Sequence, residues 1–273
     1  LKVVPPISVA LSPDIALVKL QKPEPERFRV AVTNNAPSPG NISVRLRAPE
    51  GWQVTPRSSQ VEFRYENEVQ LREFVVSPPA GDLAARRYRI QAEAVSDGVT
   101  YDTTVQEISY PHVSTHLLFE PAAGALQVLD VETAPNLKVG YIMGVGDEVA
   151  QATEQLGASV TMLEEEDLRS GDLSQYDTIV TGVRAYLVRD DLIANNHRLL
   201  QYVQNGGNLV VQYNKYEFLR EQYTPYPVRI DRPHDRVTVE ESPVRILDPD
   251  HPLFNQPNQI TASDWTGWVQ ERG

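Results

Sequence analysis

Between Leu137 and Asn214, short apolar runs alternate with longer segments of helical period, and that alternation constrains the fold more than any other feature of the chain. The runs read LKVGYIMG, ASVTMLE, YDTIVTG and NLVVQYN, all rich in Val or Ile or both. This order specifies βαβ units around a parallel sheet. DEVAQATEQLG reads as the first helix, with Val149, Ala152 and Leu156 on one face. Gly146 or Asp147 caps its start, and Gly157 suits its left-handed end. NHRLLQYVQNGG reads as a later helix, with Leu199, Leu200 and Val203 inward and Gly206-Gly207 stopping it.

Residues 1–112 have a different period. FRVAVTN (28–34), ISVRLRA (42–48), VEFRY (61–65), VQLREFVVS (69–77), RRYRIQAEAV (86–95) and VTYDTTVQEISY (99–110) alternate apolar and polar residues, as half-buried strands do. Turn clusters separate them, and Asp97-Gly98 between two such runs is a hairpin turn. Strands at this spacing without helices imply an immunoglobulin-like antiparallel β-sandwich. The expected organisation is therefore the sandwich over 1–112, a connector over 113–136, and a flavodoxin-like α/β domain with a mainly parallel sheet over 137–273. HLLFEPA and ALQVLDVE within the connector are each candidates for a short strand.

The net charge of −12 argues against nucleic acid and anionic membrane surfaces, which need clustered Lys and Arg. No apolar run approaches the ~20 residues of a membrane span, so no membrane insertion is expected. Zero cysteines exclude disulfides, thiolate metal sites and Cys catalysis without fixing a compartment. The chain opens at Leu1 with neither Met nor a signal-type segment, and is read as a mature or excised piece.

Several polar motifs suggest chemistry and then fall short of it. Gly144-Val145-Gly146 leads from a strand into a helix, yet Val149 breaks the dinucleotide fingerprint, and Asp147 and Glu148 repel an anion. A tight turn is the better reading. Glu164-Glu165-Glu166-Asp167 reads as a solvated turn and helix cap. His112 and His116 lie on an extended segment and do not converge as helical ligands would. Asp248-Pro249-Asp250-His251 offers too few ligands for catalytic zinc and reads as a polar turn; His234-Asp235 reads as a loop pair. No cofactor and no metal are expected.

The stretch FRVAVTNNAPSPGNISVRLRAPEGWQVTP, with Pro49, Gly51, Trp52, Val54 and Pro56, resembles the sandwich associated with NPCBM modules of bacterial carbohydrate-active proteins. Trp52 is then either a sugar platform or a cap on the sandwich core. YDTIVTGVRAY (176–186), YVQNGGNLVVQYN (202–214) and HPLFNQPNQITASDWTGWVQERG (251–273) resemble the class I glutamine amidotransferase-like fold and its ThuA-like relatives. They look most like the version found downstream of bacterial LmbE/PIG-L deacetylase domains. The resemblance implies an upstream catalytic domain in the same polypeptide, a glycan as the possible ligand, an extracytoplasmic location, and an α/β fold left incomplete within this sequence. In that fold a nucleophilic Cys follows the strand that here reads NLVVQYN. Tyr213, Asn214 and Lys215 stand there instead, and none is a competent nucleophile at neutral pH. The PHPDDE-like zinc run of the deacetylases is absent too.

What remains is a candidate binding surface at the carboxyl ends of the parallel strands, where open α/β sheets collect ligands. Arg184, Tyr186, Tyr213, Asn214 and Lys215 would line it, with Arg184 close to Asn214 and Tyr186 nearby. Trp265 and Trp268 in the tail, three residues apart, would share one helical face. Each of these residues also has a structural reading, as a loop anchor or a buried aromatic. The expected function is accessory: helping to bind glycan for, or to position, a deacetylase domain. A cryptic hydrolase on the Arg184/Tyr186/Asn214 edge and a purely structural or protein-interaction module are the alternatives.

Overall fold

The computed structural model describes residues 3–37, 40–219, 223–230 and 237–267. The chain divides into two compact units, Leu1–Val131 and Glu132–Gly273.

The first unit holds twelve strands among its described residues: β1 (Ile7–Ser12), β2 (Ile15–Lys19), β3 (Glu26–Asn34), β4 (Asn41–Arg47), β5 (Gln53–Thr55), β6 (Ser59–Glu62), β7 (Val69–Ser77), β8 (Arg87–Ser96), β9 (Val99–Tyr101), β10 (Thr103–Tyr110), β11 (Val113–Pro121) and β12 (Ala123–Leu129). One sheet runs β1-β3-β7-β5; the other runs β2-β12-β8-β4-β6, with β9 attached to β8. Both contribute alternate residues to one core, including Phe28, Val30, Phe74, Val44, Ile90 and Leu126, each at most 1% exposed. Two sheets over one core make a sandwich. The pairing order is immunoglobulin-like: β1, β3, β7 and β5 take the places of strands A, B, E and D, and β12, β8 and β4 those of G, F and C. Asp97 and Gly98 both have positive φ, as a tight two-residue hairpin turn demands.

The sandwich does not end at residue 112. Residues 113–129, expected in a connector, form β11 and β12, and β12 lies inside the second sheet. It pairs parallel to β2 and antiparallel to β8, and it buries Leu126 and Val128 completely. The run 99–110, read as one strand, breaks at Asp102. That residue's carboxylate accepts from Gln91 Nε2 at 2.8 Å, and its carbonyl accepts from Ala122 N at 2.7 Å. β9 therefore stays with β8, while β10 leaves to pair with β11 as a separate two-stranded ribbon.

The second unit contains β13 (Lys138–Ile142), α1 (Val149–Gln155), β14 (Ser159–Met162), α2 (Glu165–Ser170), β15 (Thr178–Thr181), α3 (Ala185–Val188), α4 (Asp190–Gln204) and β16 (Asn208–Val211). The four strands are parallel, in the order β14-β13-β15-β16. Ile142, Ile179, Leu209 and Val211 pack on one face against Leu192, Leu199 and Tyr202 of α4. The acidic run 164–167 is a cap, as expected: Glu164 and Asp167 form a reciprocal capping box on α2.

Two predictions follow from the sandwich. A chain ending at Val131 will unfold cooperatively on heating, whereas one ending at residue 112 will not, because it lacks the strand that joins β2 to β8; circular dichroism melts and amide dispersion read the difference. The second concerns Glu26. Burial first, then the neighbouring Glu24, pushes its carboxyl up to about 7. The folded state thus holds a proton that the unfolded chain releases near the ordinary carboxylate range, so this contribution falls as pH rises from about 4.5 to 7. The full shift is worth ~3 kcal/mol, but solvent reaches the carboxylate and reduces it to about 1–2 kcal/mol. Glu26→Gln should therefore gain on wild type across that window in denaturant melts, and no further above it.

Candidate functional site

The order of the parallel sheet reverses between β13 and β15, which makes the gap beyond their carboxyl ends the natural ligand crevice. Here that gap is closed by backbone. Val145 N donates to Val183 O at 2.9 Å, and Gly182 N donates to Ile142 O at 2.7 Å. A Cβ on Gly144 would overlap the Val183 carbonyl, and one on Gly182 would lie 2.7 Å from Gly144 N. Glycine at these two positions lets the loops touch. One turn further on, Arg184 N donates to Tyr213 O at 2.8 Å and ties the β15 loop to the β16 loop.

Asp147 fastens this closure. Its Oδ1 accepts from Tyr141 OH at 2.5 Å and from Val149 N at 3.0 Å, and its Oδ2 accepts from Val183 N at 3.2 Å. Tyr141 is fully buried, and its oxygen also accepts from Gln212 Nε2 at 2.6 Å. Burial, then the Asp147 carboxylate, pushes the phenol well above its ordinary range, so it remains a neutral donor. Asp147 does take part in the start of α1, as the sequence suggests, although Glu148 holds the cap position itself. Its role in bridging two loops has no signal in local sequence.

Of the residues expected to ring the crevice, Arg184 stays beside the residues after β16, whereas the Tyr186 side chain is buried. Arg184 sits in the left-handed region at φ 52°, a conformation costing roughly 1 kcal/mol for a non-glycine residue. Its Nε donates to Glu217 Oε1 at 2.8 Å, and the Glu217 side chain is only 10% exposed. Burial pushes the Glu217 carboxyl up, but hydrogen bonds from Arg184 and from backbone outweigh it and leave the group below its usual range. Glu217 goes unread in the sequence because an acid in a short irregular segment carries no periodic signal. Asn214 Nδ2 donates to Gln212 O at 2.9 Å, while its Oδ1 is buried without a partner among the described residues. Tyr213 is half exposed and Lys215 half-buried, with the Lys215 carbonyl accepting from Phe218 N.

Tyr186 does not line the edge. It is 2% exposed, donates to Asn196 Oδ1 at 2.7 Å, and packs between Phe218 and Tyr223 with ring centroids 4.8 and 5.0 Å away. Its neighbour Arg184 is paired with Glu217, so residues two apart in sequence end in different surroundings, an ion pair and an aromatic cluster. The shared face expected of the tail tryptophans involves Trp268 and so lies outside the described residues. The turn Ala262–Trp265 ends at Trp265, Thr266 is extended, and Gly267 has φ 78°. Trp265 is half-buried, and Trp268 lies outside the described residues. In the sandwich, Trp52 is 8% exposed and leans on Tyr88 at 5.4 Å, so it caps the core and offers no open face for stacking. His251 Nδ1 accepts from Leu253 N at 3.2 Å and caps a turn. His234-Asp235 lies outside the described residues.

No family model and no curated protein matches the chain. Among solved structures it resembles native α2-macroglobulin from E. coli at 15% identity and a TM-score of 0.29, over 46% of this chain and 7% of that one. It also resembles the periplasmic chaperone SfaE, at 10% identity and 0.25, over 44% and 57% of the two chains. A third likeness is to a CARDB domain from Pyrococcus furiosus, solved with di-metal ions, at 15% identity and 0.27, over 45% and 93%. The chain thus spans a small fraction of the first of these. Likeness at this level carries no information on ligand or activity.

Asp147→Ala should lower the unfolding free energy by about 2–3 kcal/mol, because it strands a buried phenol and two backbone donors. Asp147→Asn should cost less, since its amide oxygen still accepts. Gly144→Ala should destabilise as well, through overlap with Val183. Denaturant melts of the three variants check the ranking.

Proposed function

We propose that this chain is a non-catalytic accessory region of a bacterial LmbE/PIG-L-type, N-acetylglucosamine deacetylase-like protein, and that it serves domain positioning more than glycan binding. The observation that carries this reading is the closed crevice: the loops after β13 and β15 are bonded backbone to backbone where a substrate would enter. Two of the side chains around it are committed, Arg184 to Glu217 and Asp147 to three donors. A reactive site needs groups whose partners are supplied by the substrate. The position after β16, where an amidotransferase-like fold would hold its nucleophile, carries Tyr213, Asn214 and Lys215.

The parallel order β14-β13-β15-β16 supports a flavodoxin-like, class I glutamine amidotransferase-like assignment for the second unit. The immunoglobulin-like strand order of the first unit agrees with a sandwich placed as a spacer before it. In this reading the parent's chemistry belongs to a zinc-binding domain elsewhere in the polypeptide.

The purified chain should release neither ammonia from glutamine nor acetate from N-acetylglucosamine oligomers, with or without added zinc. Its melting temperature should not move when those oligomers are added. Zinc-dependent acetate release would overturn the non-catalytic reading. An oligomer-induced stabilisation that Arg184→Ala abolishes would overturn positioning in favour of glycan binding at the sheet edge.

A further inference from the structure

Among the described residues, β10 and β11 form a ribbon that pairs with neither sheet of the sandwich. Thr104 Oγ1 donates to Val9 O at 2.7 Å and anchors its base. Beyond that point the strands are exposed almost throughout, and they carry Ile108, Tyr110, Val113, Leu118 and Phe119 at 37–60% exposure. An isolated two-stranded ribbon is marginal in water, and an unpaired strand edge is a template for another strand.

The two edges of the ribbon differ. β10 carries an acid, Glu107, near its middle, and a charge is a usual guard of a free edge; the ladder's irregularity instead sets Ser114 and Thr115 of β11 against Ser109, at the hairpin end, and leaves the register of residues 116–121 regular. β11 pairs with β10 on one side only among the described residues. Its sequence, VSTHLLFEP, runs without Lys, Arg or Gly, and has no Pro before its last residue.

That sequence is also complementary to itself. Glu120 and His116 stand two residues on either side of Leu118, and Leu117 and Phe119 stand one residue on either side. When β11 meets a second β11 antiparallel with Leu118 opposite Leu118, His116 faces Glu120 of the other copy, twice over. On the opposite face of the sheet, Leu117 faces Phe119, also twice. A register centred one residue earlier puts His116 against Leu118 and Glu120 against Ser114, which loses both imidazole–carboxylate pairs. Because the partner needs the same spacing of the same residues in reverse, the occupant that fits is a second copy. The chain's net charge of −12 opposes close approach of two copies, and β11 carries only one of its acids.

We infer that the chain dimerises through β11, in a continuous four-stranded sheet β10-β11-β11-β10 with a two-fold axis at Leu118. This interface belongs to the sandwich unit and does not depend on the accessory reading.

The test uses the whole 273-residue chain. Sedimentation equilibrium should show a reversible monomer–dimer transition. His116→Glu places like charges opposite each other at both symmetric positions and should weaken association about tenfold. The swap His116→Glu with Glu120→His should restore it. All these side chains are exposed in the monomer, so the variants do not threaten the fold. The chain has no cysteine, and residues directly opposed in an antiparallel pair have Cα atoms about 4.5–5.5 Å apart, within disulfide reach. Leu118→Cys should therefore give a covalent dimer on mild oxidation, while Val113→Cys, far from its own copy in this register, should not. A strictly monomeric chain, a dimer indifferent to His116→Glu, or equal cross-linking of the two cysteine variants would each overturn the proposal.

Discussion

Asp147 accepts three hydrogen bonds, and they come from three parts of the carboxyl edge of the parallel sheet: the end of β13 through Tyr141, the start of α1 through Val149, and the β15 loop through Val183. Bonds to a charged acceptor are the stronger kind, roughly 1.5–3 kcal/mol each when well formed. Here they also spare a fully buried phenol from being left unpaired. Through Tyr141 the network extends to Gln212, beyond β16. Three of the four parallel strands are thereby tied at the end where their loops could otherwise part. The price is the crevice, because the bonds that order the loops also occupy them.

The sandwich has an equivalent constraint in β12. It is the last strand of the first unit, yet it sits between β2 and β8, so the sheet cannot close until the chain has passed residue 129. Small residues allow this. An added Cβ at Gly124 would lie 2.9 Å from the Asp14 carbonyl, and Ala125 is 2% exposed. On the outer face of the same sheet Glu93, 4% exposed, is held by Arg45 at 2.9 Å and Arg47 at 2.5 Å. Arg45 lies directly across the strand pair from it, so one register places both the apolar core and this ion cluster.

Legibility tracked locality. The alternating runs from Phe28 to Tyr101 announce strands because each residue's face is set by its own parity. The parallel runs from Leu137 onward are equally plain. β12 reads as connector because Ala-Gly-Ala and a preceding proline mimic a loop, and its partners β2 and β8 lie tens of residues away or more. β1 and β2 carry alternation of their own but are short and set among prolines, which disguises them. At the candidate site the strand ends place Arg184 beside the residues after β16, and that much is legible. The fate of each side chain is not. Tyr186 enters the core and Arg184 turns to Glu217 according to what α4 and the segment after β16 happen to present.

The two faces of the parallel sheet show what kind of edge this is. Parallel sheets are ordinarily covered on both sides. The face bearing Ile142, Ile179, Leu209 and Val211 is sealed by α4. By alternation, Val139, Tyr141, Met162 and Val210 point to the other face, where Val139 and Tyr141 are buried but Met162 is 40% and Val210 50% exposed. Nor does α1 contribute any buried residue. Order on this side therefore rests less on apolar cover than on the Tyr141–Asp147–Gln212 network, which is directional and tolerates a partly open surface. The non-catalytic role proposed for this edge fits that arrangement, since a catalytic edge keeps a rigid apolar surround and leaves its polar groups to the substrate. Here the polar groups hold the surround together, so releasing one of them to a ligand would loosen the strand ends that present it.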